Sequence, residues 1–382
     1  PDSSSLKTIP RDAPESILIN PFFSMALKCC SAAFGDLKPS RLAMSALVGG
    51  KPSSVILDFI KSNISFCLVV NSFIVNILYY CNYIQYNVYC KIMLIIGITS
   101  RALFDLDDSH DIYKKEGLDA YKDFQISHEN SPLKAGRAFP LVKKLLSFNK
   151  KIKGERSVEV ILLSRNSADT GLRIFNSIEH HGLDIKRAAF CGGESPHTYA
   201  KSFGAHLFLS TEFSDCKSAI LNGVASARII PAGVTESNNS DLKVAFDGDA
   251  VIFSEESQSI YDKKGIKAFE RNEKNLAKKP LSGGPFKPFL HQLQLLQQKF
   301  PPNKCPIRIA LFTARSAPSH ERVIRTLREW DIRIDESLFL GGLKKIDFLK
   351  VFKADIFFDD QIDNCSLASK EIPTGHVISI EQ

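Results

Sequence analysis

The chain repeats itself. Ile112, Tyr113, Gly117 and Ala120 recur 148 positions later as Ile260, Tyr261, Gly265 and Ala268, and the same displacement carries Pro132-Leu133, Gly136, Pro140 and Leu145 onto Pro280-Leu281, Gly284, Pro288 and Leu293. It then becomes 149, aligning VEVILLSRNSA (158–168) with IRIALFTARSA (307–317) and Phe190, Gly192 and Gly193 with Phe339, Gly341 and Gly342. One residue of drift over such a span marks two copies of one architecture. Each copy runs from an apolar strand ending in acids, through a helical insertion, to a second strand ending in a hydroxyl, an amphipathic helix and a third strand. That order predicts an α/β fold: two duplicated Rossmann-like halves with parallel sheets flanked by helices. In such sheets ligands sit beyond the carboxyl ends of the strands. The helix after the second strand is read from Leu172, Phe175 and Ile178 in one half and from Val323, Leu327 and Trp330 in the other, with Gly182 as a stop for the first.

The repeat accounts for residues 92–235 and 236–382 and leaves 1–91 as an N-terminal extension, disordered or not part of the mature protein. The extension opens on Pro1, Asp2 and a serine run, without the basic-then-apolar order of a secretory signal. From Ser62 to Cys90 it has no charge, long enough to span a bilayer, but five Asn and five Tyr would need partners in hydrocarbon. A membrane span is therefore disfavoured, and a bias toward Ile, Asn, Tyr and Cys also fits translated non-coding sequence. Across all 382 residues, 44% hydrophobic and 24% charged composition is that of a globular protein. A net charge of +7 suits an anionic substrate as readily as a nucleic acid. Nine cysteines, an odd number without paired metal-ligand spacing, read as reduced thiols in a cytoplasmic protein.

Chemistry concentrates in the second half. The strand 242–246 runs into Asp247-Gly248-Asp249, two carboxylates that can face one ligand. One can attack phosphorus while the other protonates the leaving oxygen and later activates water. Alone, Asp-Gly is ordinary turn chemistry. The next strand, however, ends at Thr313-Ala-Arg315-Ser316, where a hydroxyl and a helix start can receive phosphate oxygens. Lys345, after Gly341-Gly342, supplies positive charge, and a fourth strand closes on Asp359-Asp360, hard oxygen ligands suited to Mg²⁺. Each is weak singly, and in this order they are specific.

The set resembles the four motifs of the haloacid-dehalogenase-like phosphohydrolases. A closer resemblance, over roughly residues 92–380, is to the cytosolic 5′-nucleotidase I family, through SRALF (100–104), GRAF (136–139), Gly192 to Pro196, AFDGDAVIFSEES (245–257), TARSA (313–317) and IFFDDQ (356–361). The resemblance implies a nucleoside 5′-monophosphate substrate of the AMP type and a Mg²⁺ requirement. Asp247 would be the nucleophile, with Asp249, Thr313 and Lys345 as its catalytic partners and Arg315 and Ser316 on the substrate. Asp247, Asp249, Asp359 and Asp360 would hold the metal. Where the family tends to have proline this chain has Lys344, so Lys344 and Lys345 both compete for the lysine role.

The first half keeps a DxD at Asp105 and Asp107 and has Ser164 in the place of Thr313. Pro196 stands for Lys345, and Ser210-Thr211 for Asp359-Asp360. Without a cation or the terminal acids it could not balance a transferring phosphoryl group. It reads as a non-catalytic copy, free to bind a nucleotide effector or to pack against its partner, and a homo-oligomer is left open. Competing readings are a non-catalytic nucleotide-binding protein, which should have lost one of the four motifs, and a phosphatase for sugar phosphates or phosphoproteins. A nucleic-acid binder using the lysines of 143–156 or Lys278-Lys279 is disfavoured, because few aromatics are interleaved for stacking. Neither nucleic acid nor a membrane is thus an expected partner.

Overall fold

A computed structural model describes residues 93–152, 154, 156–230 and 241–379. The expectations for residues 1–91, including the uncharged stretch, and the boundary expected at 235/236 lie outside the described residues. Ten strands form one sheet: β1 (Leu94–Ile98), β4 (Val158–Ser164), β5 (Arg187–Phe190), β6 (Leu207–Ser210) and β7 (Ala225–Ile229) from the first half, and β8 (Leu242–Asp247), β9 (Ile307–Thr313), β10 (Glu336–Phe339), β11 (Ile356–Asp359) and β12 (Thr374–Val377) from the second. A small antiparallel pair, β2 (Phe104–Asp105) and β3 (Lys134–Ala135), stands apart. The sheet order is β10-β9-β8-β11-β12-β7-β6-β1-β4-β5. Read outward from its centre, each half has the same order, and pairing within each half is parallel. The join between β12 and β7 is antiparallel.

Successive residues of each strand serve opposite faces, as the period of two requires. Val244, Phe246, Ile309, Leu311, Ile356 and Phe358 enter one large apolar cluster, which includes Leu290 and Leu293 of the helix Lys287–Gln297. Their neighbours Ala245, Ala310, Phe312 and Phe357 face the other way, packing with Leu349 and Phe352 of the helix Lys345–Phe352. A third cluster, with Ile161, Leu163 and Phe208, does the same for the first half. Helices thus cover both faces, as the alternation predicts.

The helical insertions also match. Each is a pair of helices broken at a glycine, Asp107–Glu116 and Leu118–Ser127 about Gly117 (φ 91°), and Glu256–Lys264 and Ile266–Asn275 about Gly265 (φ 74°). Two details differ from the sequence reading. In the helix Ala168–His180 the core face is Gly171, Ile174 and Ile178, while Leu172 and Phe175 are exposed. The cause is Phe190, whose ring lies where a Cβ on Gly171 would be, 2.5 Å away, so the helix turns its glycine to the sheet. Gly182 does stop that helix, at φ 63°. In the second half, the helix His320–Glu329 starts four residues after Arg315-Ser316 rather than at the strand end.

Candidate active site

Strand β8 delivers Asp247 at its last position, 5% exposed. The chain then makes a tight π-type turn over Gly248–Ile252, within which Ala250 has φ 61°. A Cβ on Gly248 would lie 3.4 Å from the Thr313 hydroxyl, so the end of β9 stands directly beside this turn. Thr313 Oγ1 itself accepts from the Arg315 amide at 3.1 Å, which holds the loop after β9 in place.

Lys345 begins its helix and turns inward, 7% exposed, whereas Lys344 is exposed. Its Nζ lies 2.7 Å from Asp247 Oδ1 and 2.6 Å from Asp359 Oδ2. Burial pulls the ammonium's pKa down, but the two carboxylates outweigh it and hold the group protonated. Asp359 closes β11, fully buried, and also accepts from the Gln361 amide at 2.8 Å and from Asn364 Nδ2 at 3.2 Å. Asp360 keeps a buried oxygen without a partner, while its backbone carbonyl meets His376 Nε2 at 2.9 Å. Burial, then the neighbouring Asp359, push the Asp360 carboxyl up to about 7. Burial likewise raises Asp247 against the pull of Lys345.

Ligand oxygens of Asp247, Asp359 and Asp360 lie within 4.8 Å of one another. Three hard oxygens, raised carboxylate pKa values and an orphaned Asp360 oxygen are what a divalent cation with oxygen preference would satisfy. The donor set therefore fits Mg²⁺. A cavity of about 190 Å³ opens over the group, lined by Asp247, Asp249, Gln258, Gly342, Lys345 and Asp360 among others.

Two expected residues lie elsewhere than the sequence reading put them. The Asp249 carboxylate faces the cavity but is engaged by Arg315, at 2.6 Å to Nη2 and 2.8 Å to Nε, and is not one of the clustered acids. Arg315 is itself only 3% exposed, so its guanidinium is a buried strut, whereas Ser316 is exposed and close to Gly341. Asn364, which holds Asp359, carried no sequence signal. The first half also needs a correction. The register of β1 on β4 and β8 on β9 superposes Ile98 on Phe246, so the counterpart of Asp247 is Thr99 and not Asp105. The repeat's displacement of 148 carries Thr99 onto Asp247 as well, whereas the DxD of Asp105 and Asp107 begins six residues further along.

The strand order and the acids at the strand ends define the class, a duplicated Rossmann-like α/β protein with an acidic site beyond the carboxyl ends of its strands. A 5′-nucleotidase family model matches residues 86–382. Human cytosolic 5′-nucleotidase 1B is 38% identical over 283 residues, 71% of this chain and 46% of that protein. The chain belongs to the 5′-nucleotidase family, with its similarity to the cytosolic type I members, and it spans less than half the length of that relative. Among solved structures, histidinol dehydrogenase from Elizabethkingia anophelis gives a TM-score of 0.19 at 11% identity, over 74% of this chain and 53% of that one, too slight to carry any argument.

Proposed function

We propose that the protein is a Mg²⁺-dependent 5′-nucleotidase that hydrolyses nucleoside 5′-monophosphates of the AMP type through an aspartyl-phosphate on Asp247. The observation that carries this reading is the buried Asp247 carboxylate, gripped by Lys345 at 2.7 Å beneath a cavity ringed by acids. Asp247 forms a bond to phosphorus as the bond to the nucleoside 5′ oxygen breaks, and that oxygen takes a proton from Asp249. Water then attacks the phosphoryl group, gives its proton to Asp249 and restores the Asp247 carboxylate. Lys345 and the Thr313 hydroxyl stabilise the phosphoryl oxygens, and Ser316 offers a hydroxyl at the edge of the site. Asp247, Asp359 and Asp360 would hold Mg²⁺, which supplies further neutralisation of phosphate charge when bound. Family membership supports the substrate class. The likeness to a cytosolic relative supports a place in the cytoplasm; among the described residues no helix is long and apolar enough to cross a membrane.

Release of inorganic phosphate from a panel of nucleoside 5′-monophosphates, with Mg²⁺ or with EDTA, tests this. AMP-type hydrolysis that EDTA abolishes is expected. Hydrolysis of sugar phosphates or phosphopeptides but of no nucleotide would overturn it.

A further inference from the structure

A chain of buried charges leads from the active-site loop into the helical insertion. Arg315 spends Nε and Nη2 on Asp249 and its remaining Nη1 on Glu273 Oε2. Glu273 lies in the helix Ile266–Asn275, fully buried, and its other oxygen accepts from Arg322 Nη1 (2.9 Å), Ser257 Oγ (2.9 Å) and Asn272 Nδ2 (3.1 Å). Arg322 continues to Glu256 at 3.0 Å and to the Lys279 carbonyl at 2.9 Å. Burial alone would raise the pKa of Glu273, but Arg315, Ser257 and Arg322 outweigh it, and the pKa is lowered.

Buried ion pairs contribute little net stability over apolar packing of the same shape. The first half shows directly that this fold does not need the charge. By the same offsets, Gln125 stands in the place of Glu273, Arg173 in that of Arg322, and Asn166 in that of Arg315. Gln125 is buried and still accepts from Arg173 Nη1, at 3.1 Å. The outer link is therefore kept with a neutral amide. What the copy lacks is the arginine reaching inward, since the Asn166 oxygen accepts from Tyr121 instead, at 3.1 Å, and Arg101 stands in the place of Asp249. The ionised glutamate and the second arginine occur together in the half with the acidic loop.

We infer that Glu273 is a positioning residue, fixing the Asp249 carboxylate through the Arg315 guanidinium so that Asp249 meets the leaving oxygen during proton transfer. A carboxylate gripped on both oxygens by a planar fork has one orientation, and the fork is held by its third nitrogen. The inference rests on the proposed role of Asp249.

The test is Glu273→Gln in the full chain, assayed on AMP and on the analogue with sulfur in place of the bridging 5′ oxygen. An alkoxide needs a proton to leave, whereas a thiolate does not. The quantity read is kcat/KM, which reports steps up to loss of the nucleoside. The inference expects a fall of about a hundredfold on AMP and less than about threefold on the sulfur ester, with KM for AMP little changed. Equal losses on the two esters, or no loss on either, would overturn it. Should Glu273→Gln fail to fold, Arg315→Lys, which keeps the charge but loses the fork, is read by the same pair of rates and the same criterion. A wild-type protein that releases phosphate from no nucleotide would bring down the nucleotidase reading as well, which separates that failure from this one.

Discussion

Lys345 and Lys344 are adjacent in sequence and opposite in environment. Helix geometry sends one side chain into the acid cluster at 2.6 and 2.7 Å while the other stays in solvent. Lys345→Met should therefore lower kcat by at least about a hundredfold, the scale for loss of a preorganised charge at the reacting group. Lys344→Ala should change it less than about threefold, and the reverse ranking in steady-state assays would reassign the lysine. Asp360 gives a second prediction at this scale. With its carboxyl near 7 in the cation-free protein, it must lose a proton to bind metal. Lower pH favours the protonated form, so Mg²⁺ binding should weaken by about tenfold from pH 8 to pH 6. Affinity measured by calorimetry that stays constant over that range would contradict the assignment.

At the level of the elements, the repeat made the α/β order, the presence of a helical insertion in each half and the strand-end positions of Asp247, Thr313 and Asp359 legible, though not the glycine that splits each insertion. These follow from apolar runs and punctuating residues, which sequence displays directly. Side-chain direction is less visible. Nothing in the spacing of Thr313 and Arg315 shows that the guanidinium folds back onto Asp249 and Glu273, and Leu172 and Phe175 read as core because Phe190, which fills the space beside Gly171, is distant in sequence. Asp105 resembled the nucleophile only through its DxD spacing, since the repeat's own displacement of 148 carries Thr99, not Asp105, onto Asp247. Glu273 carried no distinguishing signal, because the paired helices also differ in charge at Asp119/Lys267, Lys122/Glu270, Asp123/Arg271 and Ile126/Lys274. Because Thr99 is the true counterpart of Asp247 and Asp105 is exposed, Asp105→Asn should leave turnover within about threefold of wild type. A loss matching that of an Asp247 variant would mean that both halves build one site.

Across the whole described region, the two halves share one sheet and one large core cluster. Contacts beyond the sheet also cross between them, including the partly buried Lys144–Asp355 pair at 2.6 Å and Arg137 Nη2 on the Ser369 carbonyl at 2.9 Å. At the join, Gly375 of β12 lies opposite Ile229 of β7, and a Cβ there would meet Phe358 at 2.7 Å and Ala227 at 2.9 Å. Gly375→Val should cost roughly 1–3 kcal/mol through overpacking. Thermal unfolding should shift down as a single transition, and a scan in which only one of two transitions moves would show that the halves unfold separately. The central claim is that Asp247 takes the phosphoryl group, and the most direct measurement is to acid-quench the protein during turnover of a nucleoside monophosphate labelled in its phosphate and map the label by mass spectrometry. The account predicts one acid-stable, hydroxylamine-labile phosphoryl group on the peptide containing Asp247, absent from Asp247→Asn. Label on another residue, or turnover retained by Asp247→Asn, would contradict it.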